Sequence, residues 1–238
     1  MVADYLPFFV FKTDQTSYDY FTSKGHPAFL VKPHRQDGSA DEVLKPVKYG
    51  TVQYQELILQ RTKLVNRVLQ LGYNILLCDI DAVWLSDPTQ YLSHSYEVQA
   101  QPEADGRLCG GFMFWVSTAK VRKFYQAVTD KHEELVTRAR QKHKLKSVDE
   151  SEQEIILKMI GSAGLKVKKL DSNKFPHGLK YFGHGTKGKS LMDLTKYTPV
   201  VVHNNYIIGK DNKLIRFKRA KLWFISGSTK TGFTCSLD

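Results

Sequence analysis

The sequence predicts an α/β domain whose central sheet is mainly parallel and covered by helices on both faces. Three observations carry this expectation. Strand-like and helix-like segments alternate along the chain. The longest apolar runs, Phe8-Phe9-Val10-Phe11, Ile75-Leu76-Leu77-Cys78 and Val200-Val201-Val202, are continuous rather than alternating, as in strands buried on both faces. The middle run ends abruptly in Asp79-Ile80-Asp81, just past the carboxyl end of a strand, where such sheets bind ligands.

The elements follow in order. After the run 8–11, Thr13-Asp14 reads as a helix cap, residues 15–24 as a short helix closed at Gly25, and Ala28-Phe29-Leu30-Val31 as a second strand. Residues 33–50 are polar and punctuated by Gly and Pro, a loop. From Tyr54 to Leu71 the apolar positions 57, 58, 64, 65, 68, 69 and 71 recur at helical spacing, and Gly72 ends that helix. Ile75–Cys78, Val98–Ala100 and Gly111–Val116 are strands, and residues 118–136 an amphipathic helix. The basic run 138–146 is a solvated helix end or mobile loop, 151–161 a short helix and 165–170 an alternating strand. Residues 174–189 read as a loop rich in Gly and aromatics, and Val200–Val202 as a buried strand running into His203. No internal repeat is visible.

The length, 238 residues, suits one large domain with ample core. The net charge of +11 favours anionic partners but does not choose among nucleotide phosphates, nucleic acid, acidic glycans and membrane surfaces. The sequence contains no apolar run of membrane-spanning length and no convincing signal peptide at its start. Cys78, Cys109 and Cys235 form no CxxC pair, which argues against structural zinc; Cys78 reads as a buried core thiol, and the count is compatible with one disulfide.

Asp79 and Asp81 carry the chemistry. On an extended chain residues two apart share a face, so both carboxylates are expected to aim at one point. Ala82-Val83-Trp84-Leu85 resumes apolar character at once, and embedded carboxylates need a cation, hydrogen-bond donors or protonation. Oxygen ligands of this kind suit Mg²⁺ or Mn²⁺, with a diphosphate completing the shell. Two enzyme readings share the pattern. In a nucleotide-sugar transferase the acids hold a cation against the diphosphate. In an aspartate-nucleophile phosphatase of the haloacid dehalogenase type the first Asp attacks phosphorus and the second is the acid/base. The phosphatase also needs a downstream Gly-Asp pair, which is absent after residue 110. A third, non-enzyme reading is an inactive basic glycan- or nucleic-acid-binding module. The basic run 138–146 lacks the aromatic interleaving that stacks on bases, which argues against nucleic acid.

The segment GYNILLCDIDAVWLSDPTQYL resembles the core of the nucleotide-diphospho-sugar transferase family, which has the GT-A glycosyltransferase fold and includes plant rhamnogalacturonan xylosyltransferases and extensin arabinosyltransferases. Further blocks are similar in the same order: QRTKLVNRVLQLGYN, CGGFMFWVST, SEQEIILKMI, FPHGLKYF and VVHNNYIIGKDNKLIRFKRAKLW. Together they span roughly residues 8–224. The resemblance implies a UDP-sugar donor, a glycan or glycoprotein acceptor, Mn²⁺ (or Mg²⁺) and retention of configuration. It implies that Asp79 contacts the ribose and the metal, that Asp81 is the principal carboxylate ligand and that His203 is the C-terminal ligand. Lys210, Lys213 and Arg216 would add positive charge to the leaving group; a solvated basic face is the plainer account of each. Glu152-Gln153 stands where the family has Asp-Gln and would orient the transferred sugar, against a simple role as a helix first turn. Gly110-Gly111 would let the backbone approach the donor, and Arg61 and Lys63 are candidate diphosphate contacts, with exposed helix charges as the simpler account. Trp84, Trp115 and Trp223 read as core rather than sugar platforms. The resemblance also implies Golgi residence, with any membrane attachment outside this chain. It makes residues 1–238 one catalytic domain that begins after the first strand of the fold.

Overall fold

A computed structural model of the chain describes residues 10–12, 15–30, 47, 50–141, 151–186, 192–228 and 232–235. Phe8 and Phe9, the Thr13-Asp14 cap, Val31, nearly all of the loop 33–50, residues 142–146 of the basic run and residues 187–189 lie outside them. The chain divides into two compact units, one of residues 1–71 and 122–159, the other of 72–121 and 160–238.

In the first unit, β1 (Val10–Lys12) and β2 (Ala28–Leu30) pair in parallel across α1 (Gln15–Ser23), the crossover that parallel strands require. Thr51 caps α2 (Val52–Gln70): its side chain accepts from the Tyr54 N–H at 3.2 Å. The buried positions of α2, Gln55, Leu59, Thr62, Val65, Asn66 and Leu69, lie along one helical stripe and mix apolar with polar side chains. The polar ones find partners on α3 (Ala119–Gln141). Thr62 lies 3.0 Å from His132 Nδ1, Gln55 lies 3.3 Å from His132 Nε2, and Asn66 donates to Gln126 at 2.7 Å. The start of the basic run therefore continues α3, with Arg140 paired to Glu56 at 2.5 Å. α4 (Glu152–Ile160) closes this unit and buries Ile155 and Ile156.

The second unit carries β3 (Ile75–Cys78), β4 (Ala82–Trp84), β5 (Val98–Pro102), β6 (Leu108–Trp115) and β7 (Val167–Lys169). Then follow α5 (Gly178–Phe182), β8 (Val201–His203), α6 (Lys210–Arg219), β9 (Ile225–Ser228) and β10 (Gly232–Cys235). The α/β class is as expected, but the sheet is mixed rather than mainly parallel. Its order is β3-β6-β5-β7, antiparallel at β3·β6 and β5·β6 and parallel only at β5·β7. The reason is the connection: β5 and β6 are joined by residues 103–107, far too few for the crossover a parallel pair needs. β4 and β8 form a separate antiparallel pair.

Sequence periodicity left β4, α6, β9 and β10 unassigned, and the stretch 174–189 read as loop contains α5, a single short helix capped by the His177 side chain. β4 is three residues of an apolar run already interrupted by acids, and α6 is strongly basic with few apolar positions to mark its period. The β4·β8 pair separates two apolar clusters by strand alternation. Ala82 and Val201 pack with Phe112, Leu170 and Phe175, whereas Val83 and Val202 pack with Tyr181, Phe182 and Phe217.

Arg216 of α6 is wholly buried although no carboxylate faces it in its hydrogen bonds. Its guanidinium donates to the carbonyls of Gly185 (2.7 Å), Gly183 (2.9 Å) and Asn205 (3.0 Å) and lies over the Phe182 ring at 5.3 Å. A planar fork of donors satisfies three separate backbone carbonyls at once, which an ammonium cannot reproduce. Arg216→Lys should therefore leave buried carbonyls unpaired and lower stability by about 2–3 kcal/mol, read as a drop in the urea midpoint without a change in slope. An unchanged midpoint would show that the carbonyls find other donors.

Candidate active site

The two acids converge through a turn, not through strand alternation. Only Ile75–Cys78 is extended; Asp79-Ile80-Asp81 turns the chain from β3 into β4, closed by the Ala82 N–H donating to the Asp79 carbonyl at 3.1 Å. Ile80, the residue between them, points to solvent. Two backbone bonds hold the turn from either side. The Asp79 N–H donates to the Gly111 carbonyl in β6 at 2.7 Å, and the Asp81 carbonyl accepts from the Asn204 N–H, just past β8, at 2.9 Å. Ala82 pairs with His203 in the β4·β8 ladder, which delivers the imidazole beside the acids.

One ligand atom from each of Asp79, Asp81 and His203 can be chosen so that all three lie within 4.8 Å of one another. His203 Nε2 is 3.5 Å from Asp81 Oδ1 and 3.8 Å from Asp79 Oδ2. Exposure is graded across the group: the side chain of His203 is 3% exposed, that of Asp81 13% and that of Asp79 37%. Lys213 of α6 donates to Asp81 Oδ2 at 2.5 Å. Burial alone would push the Asp81 carboxyl up. The interaction with His203, joined by the charge and hydrogen bond of Lys213, outweighs burial and holds it well below the usual carboxylate range. Two carboxylate oxygens and an imidazole nitrogen around one point fit a divalent ion such as Mn²⁺.

Gly111 is required by this crowding. A Cβ there would sit 3.0 Å from Asp79 Cγ and closer still to Asp79 Oδ2 and His203 Cε1. The β5·β6 ladder is irregular at the same place: Ala100 faces Met113 and Pro102 faces Leu108, so the four residues Cys109–Phe112 lie opposite Gln101 alone. Gly110 and Gly111 belong to this bulged stretch, and the approach that Gly111 permits is that of the Asp79 and His203 side chains.

The other residues singled out from sequence are placed as follows. In the first unit Arg61 donates to Glu152 at 2.6 Å, and the buried Glu152 also accepts from Tyr125 at 2.7 Å. Burial would raise the Glu152 carboxyl; the Arg61 charge and the bonds from Tyr125 and Arg61 outweigh it and leave it lowered. Gln153 is half-buried on the first turn of α4, and Lys63 pairs with Glu133 at 2.5 Å on the exposed face of α2. In the second unit Lys210 is exposed at the start of α6, while Lys213 joins the acids. The expectation that all three tryptophans are core holds for Trp115 alone. Trp84 and Trp223 are exposed, and the Trp84 indole donates to Cys78 Sγ at 3.3 Å. Cys78 is half-buried, and burial, the main cause, pushes its thiol up to about 11; it and Cys109 are free thiols. Sequence reasoning missed Gln101 and Tyr125. Neither lies in a recognisable motif; Gln101 shares the short strand Val98–Pro102 with Gln99, and nothing in the sequence distinguishes the two. No helix among the described residues is long and apolar enough to cross a membrane.

Comparison with known proteins adds the following. A family model described as nucleotide-diphospho-sugar transferase matches residues 7–217. UDP-D-xylose:L-fucose alpha-1,3-D-xylosyltransferase 3 of Arabidopsis thaliana is 26% identical over 223 residues, covering 84% of this chain and 54% of that protein. UDP-galactose:fucoside alpha-3-galactosyltransferase of Dictyostelium discoideum is 26% identical over 195 residues, covering 75% of this chain and 29% of that protein. The crystal structure of the glycosyltransferase GlyE of Streptococcus pneumoniae overlaps 89% of this chain and 52% of its own, at a TM-score of 0.43 and 12% identity. The chain spans about half the length of the plant xylosyltransferases it matches.

Two outcomes test the geometry. Gly111→Ala should weaken Mn²⁺ binding about tenfold or more while the circular dichroism spectrum is retained, because the added methyl displaces two ligands; unchanged affinity would mean that the acids and His203 do not act together. The second concerns pH. A carboxyl whose folded-state value is lowered contributes stability above its unfolded value, about 3.9, and loses it as pH falls through the folded one. The stability advantage of the protein over Asp81→Asn, from urea midpoints, should therefore shrink between about pH 4 and pH 2. An advantage that grew toward acid would reverse the electrostatic assignment.

Proposed function

This chain belongs to the nucleotide-diphospho-sugar transferase family, and we propose that it moves a sugar from a UDP-sugar to a hydroxyl of a glycan or glycoprotein, aided by Mn²⁺ held between Asp79, Asp81 and His203. The observation that carries this reading is the meeting of those three side chains where β3 turns into β4 alongside β8. The names of the relatives support UDP-sugars as the donor class. Retention at the anomeric carbon, Mg²⁺ as a substitute ion and work in the Golgi lumen belong to the same proposal.

The bound cation would neutralise the negative charge that builds on the departing nucleoside diphosphate. The chain's own groups do the rest. Asp79, the most exposed of the three, would contact the donor's ribose, and its exposure supports that role. Asp81 is kept ionised by the Lys213 ammonium, so it presents charge rather than a proton at neutral pH. The Lys213 ammonium, already on Asp81, would add positive charge for the diphosphate. Arg61, Lys63, Gly110 and Lys210 remain candidate donor contacts and Glu152-Gln153 candidate sugar contacts. In Glu152 both carboxylate oxygens already have protein partners, so its part would be to fix Arg61 and Tyr125 rather than to attack the sugar.

The test is a panel of UDP-sugars with Mn²⁺, followed by release of UDP. Donor-specific release is expected, lost with chelator and reduced by at least about 10³-fold in Asp81→Ala; Lys213→Met should lower kcat by about 10²-fold, the scale of one lost donor to developing charge. Activity intact in Asp81→Ala would overturn the metal assignment. Phosphomonoester turnover without nucleotide, abolished by Asp79→Asn, would replace the transferase reading with a phosphatase.

A further inference from the structure

Two glutamines lie two residues apart in β5, both fully buried, and they are used differently. The amide of Gln99 closes on the backbone of Ser93 alone, accepting from its N–H at 3.1 Å and donating to its carbonyl at 2.7 Å. That is a self-contained structural bridge. Gln101 instead donates its amide N–H to the carbonyl of Phe175 at 3.0 Å and turns its oxygen to His203 Nδ1, 2.9 Å away.

The polarity of this chain of bonds has one solution. A backbone carbonyl only accepts, so the nitrogen end of the Gln101 amide must be the one at Phe175. The amide oxygen then faces Nδ1, and an oxygen only accepts, so Nδ1 must carry a proton. The Cys109 sulfur, 3.5 Å from the same nitrogen, is a weaker partner. With Nδ1 protonated, Nε2 is the nitrogen whose lone pair is available, and it is the one that faces Asp81 at 3.5 Å and Asp79 at 3.8 Å. The irregular β5·β6 ladder supplies the placement, since Gln101 stands opposite the bulged stretch Cys109–Phe112 rather than one paired residue.

We propose that Gln101 is a positioning residue of the metal centre: anchored by the Phe175 carbonyl, it holds a proton on His203 Nδ1 so that the Nε2 lone pair is directed at the ion shared with Asp79 and Asp81. This rests on the reading of those three residues as a metal site. Partners of this kind fix ring orientation and raise ligand basicity, and their loss typically weakens metal binding about 10–100-fold.

The test is calorimetric titration with Mn²⁺ alone, on the whole chain. Gln101→Leu, close in shape but without an acceptor, should weaken binding about 10–100-fold, and Gln101→Glu, which keeps an acceptor oxygen, should recover most of the loss. In a His203→Ala background Gln101→Leu should make no further difference, an outcome that a merely structural glutamine would not produce. Equal loss in both backgrounds, or no loss in either, overturns the proposal. Should Gln101→Leu fail to fold, long-range ¹H–¹⁵N spectra of the unsubstituted protein decide: His203 Nδ1 should be protonated with or without Mg²⁺, and a lone-pair signal from Nδ1 overturns the proposal. The spectra also separate the two readings. If the unsubstituted protein binds no Mn²⁺, the metal site itself is refuted, and Nδ1 still reports whether Gln101 orients the ring.

Discussion

The site depends on one short ladder, the antiparallel pairing of β4 with β8. Ala82 pairs with His203, and the Asn204 N–H reaches the Asp81 carbonyl, so the segment after the acids and the segment carrying the imidazole are locked in register. A slip of one residue would turn His203 to the opposite face, among Phe182 and Phe217, and leave a valine beside the acids. The apolar residues of the pair prevent that slip, because Val201 and Val202 are each buried in a different cluster. Packing on both sides of a three-residue strand thus fixes the chemistry at its end.

Gathering the groups has an electrostatic cost. Two carboxylates within 4.8 Å of each other repel by roughly 3–4 kcal/mol at an effective dielectric near 20, more than one ordinary hydrogen bond returns. The arrangement is tolerable only with positive charge at the same place, and the protein supplies some of it through Lys213. Asp81 is the acid so compensated, while Asp79 stays open to solvent. That division of environment gives two chemically identical side chains different tasks in the proposed reaction.

Behind the site the polar groups are held by backbone rather than by counter-charges. Arg216 is anchored by carbonyls of Gly183, Gly185 and Asn205; Asn204 donates to the Lys213 carbonyl at 2.9 Å, and Asn205 accepts from the Gly178 N–H at 2.6 Å. A Cβ on Gly178 would collide with the Asn205 carbonyl, so the close approach there depends on glycine. These bonds tie α5, the turn after β8 and α6 together, so that Lys213 reaches Asp81 from a helix whose position is set independently of either charge.

Much of this was legible in the sequence by itself. It determined the α/β class, the boundaries of β3 to the residue, a helix over 54–71 that the structure places at 52–70, a helix over 118–136 that the structure extends to 141, and three ligand candidates from ordered motifs. Those features are local: periodicity, apolar runs and spacing report what one segment buries. It did not reveal that Asp79 and Asp81 meet through a turn, that the sheet is mixed, that Glu152 is bound to Arg61 and Tyr125, or that Gln101 touches His203. Each of these joins residues from separate stretches of chain, His203 and Gln101 lying 102 positions apart. Only the tertiary structure decided them, because which donor meets which acceptor follows from strand register and from a bulge that no single segment encodes.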